Sequence, residues 1–228
     1  MAGRAPQTMT DSLPAQPSEA DRAQVIAASH DLVSRETLSR LDAFVALLLA
    51  RQERMNLIGA STIPNLWTRH IADSLQLLRL APAARVWADL GSGAGLPGLV
   101  LACALADEAG AAVHLVESIR KKAEFLRDCV SAIGLPGIVH NQRIEDFTRA
   151  NRVAFDAVTA RALAPLDKLL AYATPLLKTG AVALFPKGQD VEAELTLASK
   201  SWKLETELVP SKTDPHARIV VVRRAGRR

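Results

Sequence analysis

The stretch Trp87–Gly98, WADLGSGAGLPG, joins an apolar run to a cluster of glycines and decides what kind of fold this chain can form. Read from Gly93, it has the G-x-G-x-x-G spacing of a dinucleotide-binding turn. Read from Asp89, it has the D-x-G-x-G spacing of an S-adenosylmethionine (SAM) site. Glycine at positions 91 and 93 permits a tight turn and close approach of a ligand to the backbone. The same glycines also suit a plain strand-to-helix turn, so the flanking sequence has to decide.

Short apolar runs alternate with helical patterns from Arg85 onward, which is typical of βαβ units and a parallel sheet. The predicted strands are VWADL, AVHLVE, GIVHN, FDAVTAR and AVALFPKG. Two later runs, KLETELV and ARIVVVRR, predict an antiparallel pair at one edge. The glycine stretch then lies where the first strand becomes the first helix, at the carboxyl end of the sheet, where open α/β sheets bind their ligands.

The pattern divides the chain into three parts. Residues 1–30 are predicted to form a flexible N-terminal extension, 31–84 an N-terminal helical segment, and 85–228 the ligand-binding α/β domain. In the helical segment, apolar residues recur at spacings of three and four, as on one face of a helix, at Leu38, Leu41, Val45 and Leu48. A second helical piece, LWTRHIADSLQLLRL, follows a turn around Pro64.

Composition agrees with an intracellular α/β protein. The chain has 228 residues, of which 49% are hydrophobic, and its 28 Lys and Arg against 24 Asp and Glu give a mild basic bias. No apolar signal segment is seen near the N-terminus, and the run LDAFVALLLA is shorter than the about 20 residues of a membrane span. We therefore predict a cytoplasmic protein without a membrane partner, with Cys103 and Cys129 as reduced core thiols and no metal site.

The residues after the glycine stretch favour SAM over a nicotinamide dinucleotide. Glu117 ends the second strand about 20 residues downstream, where an acidic side chain accepts hydrogen bonds from ribose hydroxyls, which both ligands carry. Asp89 discriminates, because its carboxylate attracts the cationic methionine end of SAM and repels a pyrophosphate. The third strand leads into RIEDF, which places Ile144 beside the adenine and Glu145 and Asp146 near its amino group; the alternative is a solvated loop. No second glycine fingerprint follows.

Five segments in this order resemble the RsmG (GidB) family of ribosomal RNA methyltransferases: RHIADSL, DLGSGAGLPG, VESIRKKAEFL, TARALAPLDKLL and PLLKTGAVALFPKG. The resemblance extends over 55–194. It implies a Rossmann-like class I SAM-dependent methyltransferase that methylates N7 of a guanine in 16S ribosomal RNA, as naked RNA or within the small-subunit particle. It also implies that the cofactor is contacted by Gly91, Leu96, Ile144, Glu145 and Arg161.

The chemistry at guanine N7 requires little of the protein, because N7 carries an in-plane lone pair and no proton. We therefore predict no catalytic base, only residues that position the reactants. Neither cysteine lies in a strand-end loop suited to covalent attack on a pyrimidine, and the Asn/Asp-Pro-Pro-aromatic motif of amine-directed methyltransferases is missing. The alternatives are a methyltransferase for a small molecule, a nicotinamide oxidoreductase and a nucleotide-binding regulator without catalysis.

Several charged and aromatic residues have two interpretations at this stage. Arg161 either contacts the cofactor or target, or pairs with Asp156 or Asp167; Lys187 either contacts RNA phosphate or caps the sheet. Basic residues predict RNA contacts or a solvated surface at Arg69, His70, Arg120, Lys121, Lys122, Arg127, Arg223, Arg224, Arg227 and Arg228. Three aromatic side chains are candidates to stack on a base or to fill the core: Trp67, Tyr172 and Phe185. A monomer is expected.

Overall fold

The computed structural model describes residues 16–228 and contains one sheet of seven strands. The strands are β1 (Val86–Leu90), β2 (Ala112–Val116), β3 (Gly137–His140), β4 (Ala157–Thr159), β5 (Val182–Lys187), β6 (Trp202–Pro210) and β7 (Arg218–Arg227). Their order is β3-β2-β1-β4-β5-β7-β6. Neighbours from β3 to β5 are parallel, whereas β7 is antiparallel to both β5 and β6. The predicted parallel sheet with an antiparallel edge is confirmed.

Helices cover both faces of this sheet. They are α1 (Glu19–Ala28), α2 (Arg35–Met55), α3 (Asp73–Leu80), α4 (Gly98–Leu105), α5 (Arg120–Ile133), α6 (Ile144–Ala150), α7 (Leu166–Leu177) and α8 (Val191–Ser201). A single 3₁₀ turn, Ala60–Thr62, and a π-helical turn, Trp67–Ala72, precede α3. No helix within 16–228 combines the length and the apolar character needed to cross a lipid bilayer.

The strands supply two hydrophobic layers because their side chains alternate between the two faces. Trp87 and Leu115 point into the layer formed with α1 to α5, whereas Ala88 and Leu90 point into the layer formed with α6 to α8. All residues of β1 after Val86 are buried, on both faces of the sheet, as expected for a central parallel strand. Residues 31–84 contribute Leu41, Phe44 and other side chains to the first layer, so this helical segment shares a core with the sheet.

Strand order reverses between β1 and β4, and this reversal creates the crevice. From β1 the chain crosses to β2 on one side, whereas β4 pairs with the other edge of β1, with Asp89 beside Thr159. The loops that follow β1 and β4 therefore leave the same edge of the sheet in opposite directions. Open α/β sheets bind ligands in the space between such loops.

The N-terminal part of the chain differs from the flexible extension expected for 1–30. Residues 1–15 lie outside the described residues, but α1 occupies Glu19–Ala28 and Ser18 Oγ caps it by accepting from Asp21 N. Asp21 then caps the π-helical turn, because its carboxylate accepts from Trp67 N at 2.9 Å and from Thr68 N at 3.2 Å. The partners of Asp21 lie more than forty residues away in the chain, so local sequence patterns gave no sign of them.

Two histidines on the neighbouring outer strands β2 and β3 stack against each other. His114 in β2 and His140 in β3 stack with ring centroids 5.0 Å apart, and Nδ1 of His114 lies 3.0 Å from Nε2 of His140. Phe147 and Phe155 pack against the pair. Burial lowers the pKa of His114 to about 4, and burial also lowers the pKa of His140. The pair therefore stays neutral, with one ring donating to the other.

Below pH 6.5 an unfolded histidine binds a proton, whereas His114 in the folded protein stays neutral down to about pH 4. The unfolded state therefore gains stability from protonation, and we expect the free energy of unfolding to fall as the pH drops from 6.5 towards about 4. His140→Gln removes one titrating ring and keeps a hydrogen-bonding partner for His114. Its unfolding free energy, measured by urea denaturation across this range, should depend less steeply on pH than that of the wild type. The exposed His30→Gln serves as the control, and identical slopes for His140→Gln and wild type would contradict the assignment.

Candidate active site

A cavity of about 510 Å³ lies at the carboxyl ends of β1, β2 and β4. Its volume is within the range of small-molecule sites, about 300–1,000 Å³. Seven of the eight residues predicted to bind the cofactor line it: Gly91, Gly93, Leu96, Glu117, Ile144, Glu145 and Arg161. The structure thus brings together residues from four separate segments of the chain. The eighth residue, Asp89, does not line the cavity.

The glycine loop is bent over the end of β2. Gly91 N and Ser92 N both donate to Val116 O, at 2.9 and 3.0 Å, and this requires a positive φ of 75° at Gly91. A side chain at Gly91 would also meet Leu163, whose Cδ1 would lie 2.7 Å from the added Cβ. At Gly93, where φ is 55°, an added Cβ would have only Gly91 O as a neighbour, at 3.8 Å. Position 93 therefore faces open space.

Glu117 fastens this loop to the sheet. Its Oε2 accepts from Gly93 N at 3.0 Å and its Oε1 accepts from Ile119 N at 2.7 Å, while the residue is only 7% exposed. Each carboxylate oxygen can accept a second hydrogen bond. Glu117 therefore holds the loop and still has acceptor capacity towards the cavity, as a ribose would require. The N-cap residue of the helix that follows, α5, is Ile119.

Asp89 lies beneath the loop. Its side chain is 1% exposed, and Oδ2 accepts from Gly98 N at the start of α4 at 3.1 Å. Burial raises the pKa of Asp89 to about 7, although the hydrogen bond from Gly98 N opposes this shift. Its Oδ1 has no hydrogen-bond partner within the described residues. The carboxyl group supports the loop from below, which differs from the direct ligand contact that its position in the sequence suggested.

The opposite end of the cavity is formed at the start of α6. Ile144 and Glu145 both line it, and Tyr172 OH donates to Glu145 Oε1 at 3.0 Å. A hydrogen bond from its own backbone amide, together with the one from Tyr172, lowers the pKa of Glu145. Lys168 lies 5.5 Å from the centroid of the Tyr172 ring. An apolar side chain next to an ionised acid suits a purine that carries an amino group.

Arg161, directly after β4, does not pair with Asp156 or Asp167. Its guanidinium faces the π-helical turn and the start of α3, where it lies 3.3 Å from Asp73 Oδ2. Asp156 instead accepts from the backbone amides of Arg85 and Val86, each at 2.8 Å. The ion pair with Asp73 joins two distant segments, RHIADSL and TARALAPLDKLL, which are two of the five segments that carry the family resemblance.

A second cavity of about 390 Å³ adjoins the first at the carboxyl ends of β4 and β5. Arg161 and Ala162 line both cavities, so these two residues form the partition between them. Ala162 has φ of 52°, a left-handed conformation that is rare for a residue with a side chain. Such backbone strain concentrates at functional sites. The surrounding structure therefore holds Ala162, and with it the partition, in a conformation that this residue rarely adopts.

Cations line the second cavity, and each has a partner in this structure. Arg69 pairs with Asp214 at 2.8 Å, and Lys187 pairs with Glu194 at 2.7 Å. Arg218 donates to the backbone carbonyls of Pro215 and Ala217. Lys187 also donates to Ala164 O at 3.1 Å. It both braces the sheet end and borders the cavity, so the two interpretations of Lys187 are not exclusive.

The predicted basic residues do not form one surface. Arg224 and Arg227 lie beyond the pairing of Ala183 with Val222, towards the amino end of β5, whereas Arg218 pairs with Lys187 at its carboxyl end. The C-terminal arginines are therefore on the edge opposite the cavities. His70 is 8% exposed, and its two ring nitrogens contact Arg161 and Thr62. Lys122 lines the mouth of the first cavity.

The three aromatic candidates differ in their exposure. Trp67 and Phe185 are buried in the two core layers, at 2% and 0% exposure, so neither is available to stack on a base. Tyr172 is half-buried and lines the first cavity.

Several lining residues had no recognisable sequence signal. Leu57 and Ile58 come from the loop after α2, and Ala162 and Leu163 follow Arg161. Short apolar residues in loops carry no periodic pattern, so only their tertiary placement identifies them. Asp73 also belongs to this group, because only its contact with Arg161, which His70 shares, gives it a place in the site.

Solved structures with a similar architecture include two O-methyltransferases. The O-methyltransferase TomG from Streptomyces achromogenes, in complex with SAM, matches with a TM-score of 0.57 and 17% identity over 90% of this chain and 98% of that one. The O-methyltransferase from Bacillus cereus, in complex with SAH, has a TM-score of 0.56 and 15% identity over 90% and 97%. Sheet order, glycine loop and cavity together define a class I SAM-dependent methyltransferase.

Sequence relatives define the family within this class. The family model GidB, rRNA small subunit methyltransferase G, matches residues 37–220. A ribosomal RNA small subunit methyltransferase G from Bradyrhizobium sp. strain BTAi1 is 57% identical over 89% of this chain and 90% of that protein. One from Nitrobacter hamburgensis is 56% identical over 92% and 80%. The chain belongs to the GidB family of small-subunit ribosomal RNA methyltransferases.

Because position 93 faces the cavity, Gly93→Val should abolish SAM binding while the sheet remains folded. Gly110→Val is a matched control, since Gly110 has a φ of 76° and open space around it but does not line the cavity. Isothermal calorimetry should show SAM binding in the control and none in Gly93→Val, with similar circular dichroism for both. Equal affinities in the two variants would place the ligand elsewhere.

Glu117→Ala should weaken SAM binding by about 1.5–3 kcal/mol, the usual value of hydrogen bonds to a charged group. Glu117→Gln keeps the shape and one carbonyl acceptor, and its loss should be smaller. Calorimetry at a single pH measures both, and wild-type affinity in Glu117→Ala would restrict this residue to its role in fastening the loop.

Proposed function

We propose that this protein transfers the methyl group of SAM to N7 of a guanine in 16S ribosomal RNA of the small subunit. The observation that carries the proposal is the pair of adjoining cavities that meet at Arg161 and Ala162. One has the features of a cofactor site and the other borders it at the ends of β4 and β5. The family supports the substrate class, and its resemblance implies the N7 position.

The first cavity fits SAM by the chemistry of its residues. Glu117 would accept from the ribose hydroxyls, Ile144 and Glu145 would flank the adenine, and Leu96 would cover the ligand. Gly91 and Gly93 would let the backbone pass close to the methionine end, and Asp89 would hold the loop from below through Gly98 N. When bound, SAM supplies a methyl group on a sulfonium that is reactive towards a neutral nucleophile.

The second cavity would receive the target guanine. It has Arg161 on the partition and Arg69, Lys187 and Arg218 on its walls, and these donors alternate with the carboxylates of Asp73, Asp190, Glu194 and Asp214. Guanine presents two acceptors, N7 and O6, on one edge, and arginine side chains match this pair. Nearby phosphates would compete with Asp214 for Arg69 and with Glu194 for Lys187. Arg161, between the cavities, is placed to contact cofactor or base.

No residue is needed as a general base. N7 has no proton to remove, and the nearby candidates are already engaged, because His70 and Asp73 both bind Arg161. The contribution of the protein is then to hold the acceptor and the methyl group in line, which can supply about 7–11 kcal/mol. Site residues are thus positioning and binding groups.

The substrate is proposed to be the RNA or the small-subunit particle, reached in the cytoplasm by a monomer. Lys121 is exposed at the start of α5, and Lys122 next to it lines the mouth of the first cavity, where RNA would approach. Both lysines make no ion pair within residues 16–228. They are the part of the predicted basic set that geometry favours for phosphate contact.

With methyl-labelled SAM and small subunits lacking the modification, we expect the label to appear as 7-methylguanine in nuclease digests analysed by mass spectrometry. Gly93→Val should transfer nothing and Gly110→Val should transfer at the wild-type rate. Single-turnover rates should show no rising limb with pH that reports a catalytic base. Label in an exocyclic amine, a pyrimidine carbon or a ribose would overturn the N7 assignment. Label found only in small molecules, and none in RNA, would instead support a methyltransferase that acts on a small molecule.

A further inference from the structure

Arg161 is held by an unusually complete set of acceptors. Nη1 donates to Arg69 O at 3.1 Å and lies 3.3 Å from Asp73 Oδ2, and Nη2 lies 3.0 Å from His70 Nδ1. The Arg161 and Asp73 side chains are each 18% exposed. All three partners come from the π-helical turn and the first residue of α3. One short segment thus fixes the guanidinium that separates the two cavities.

The protonation of His70 follows from its neighbours. Thr62 Oγ1 donates its single proton to Gly59 O at 2.7 Å, so it can only accept from His70 Nε2, 2.8 Å away. Arginine only donates, so His70 Nδ1 must accept from Arg161. Both requirements are met by the neutral imidazole with its proton on Nε2. The result is a directed chain from Arg161 through His70 and Thr62 to Gly59.

The surroundings keep this arrangement rigid. Ser74 Oγ donates to His70 O at 2.6 Å, and Asp21 caps the amino end of the turn. Burial, reinforced by the positive charges of Arg161 and Arg69, lowers the pKa of His70 to about 4. A proton on Nδ1 would face the Arg161 guanidinium, so the neutral form and the contact support each other.

We propose that His70 is a positioning residue for methyl transfer, whose unprotonated Nδ1 holds the Arg161 guanidinium at the partition between the two cavities. His70 lines only the second cavity, and its partner Arg161 lines both. The inference rests on the proposed function for its kinetic consequence, but the tautomer of His70 is independent of activity. It predicts that changes at His70 alter the transfer step more than cofactor binding.

Two substitutions of His70 test its two ring nitrogens separately. His70→Asn keeps an acceptor, Oδ1, in the place of Nδ1, whereas His70→Gln keeps a donor near the place of Nε2 and removes the Nδ1 acceptor. We expect His70→Gln to lower the single-turnover transfer rate at saturating SAM and small subunits by about tenfold or more, since a displacement of about 1 Å can cost about 100-fold. His70→Asn should recover most of the rate. SAM affinity should change less than about twofold in both variants, because His70 does not line the cofactor cavity and neither substitution removes a contact with bound SAM.

Thr62 offers an independent pair. Thr62→Val removes the acceptor for Nε2–H and should lower the transfer rate, whereas Thr62→Ser keeps the hydroxyl and should restore it; His30→Asn is the control for histidine replacement away from the site. Melting temperatures of all variants report on folding. A His70→Asn variant no faster than His70→Gln, or a loss of SAM affinity that parallels the loss of rate, would overturn the positioning role.

Nitrogen NMR of histidine-labelled protein tests the geometry without any activity. The resonances of His70, identified by their loss in His70→Asn, should show a proton on Nε2 and an unprotonated Nδ1 that shifts in Arg161→Leu. A proton on Nδ1, or a Nδ1 resonance unaffected by Arg161→Leu, would overturn the proposal. If the wild type transfers no methyl group to small subunits while the NMR result holds, the proposed function fails and the Arg161–His70 contact stands.

Discussion

The attachment of the glycine loop to the end of β2 is the interaction on which the site depends. Two consecutive amides donate to Val116 O, and the carboxylate of Glu117 holds the next one, so the loop is bent back over the sheet. This bend leaves the space above β1 and β2 open and sets the start of α4, where Asp89 binds Gly98 N. An acid at the end of β2 is therefore structural before any ligand binds, and its remaining lone pairs make it functional.

The same principle, one group serving both the fold and the site, recurs at Arg161. Its guanidinium carries a tertiary contact between the segment before β1 and the loop after β4, and that contact creates the partition between two cavities. The N-terminal helices are thus more than a cover for the sheet. Through Asp21, the π-helical turn and His70, they fix a charge at the centre of the proposed active site. The transfer without a general base that we propose relies on such fixed positions.

Features that are local or periodic could be predicted from the sequence. Five parallel strands and the antiparallel edge follow from apolar runs and their spacing, because strand and helix periods are written in consecutive residues. Glycines before a helix and an acid at the next strand end located the cavity for the same reason. Helix α1 was not foreseen, since the polar contacts of Asp21 and Arg22 that hold it, with Trp67, Thr68 and Asp42, cross more than fifteen residues.

By itself the sequence determined the α/β sheet, the position of the glycine loop and seven residues that line one cavity. Tertiary structure alone decided that Asp89 supports the loop from below, and that the C-terminal arginines lie on the edge away from the cavities. It also decided that Arg161 binds His70 and Asp73 instead of its neighbours Asp156 and Asp167. The physical reason is that a charged side chain pairs with whichever partner the packed chain brings within hydrogen-bonding distance, and separation along the sequence does not encode that distance.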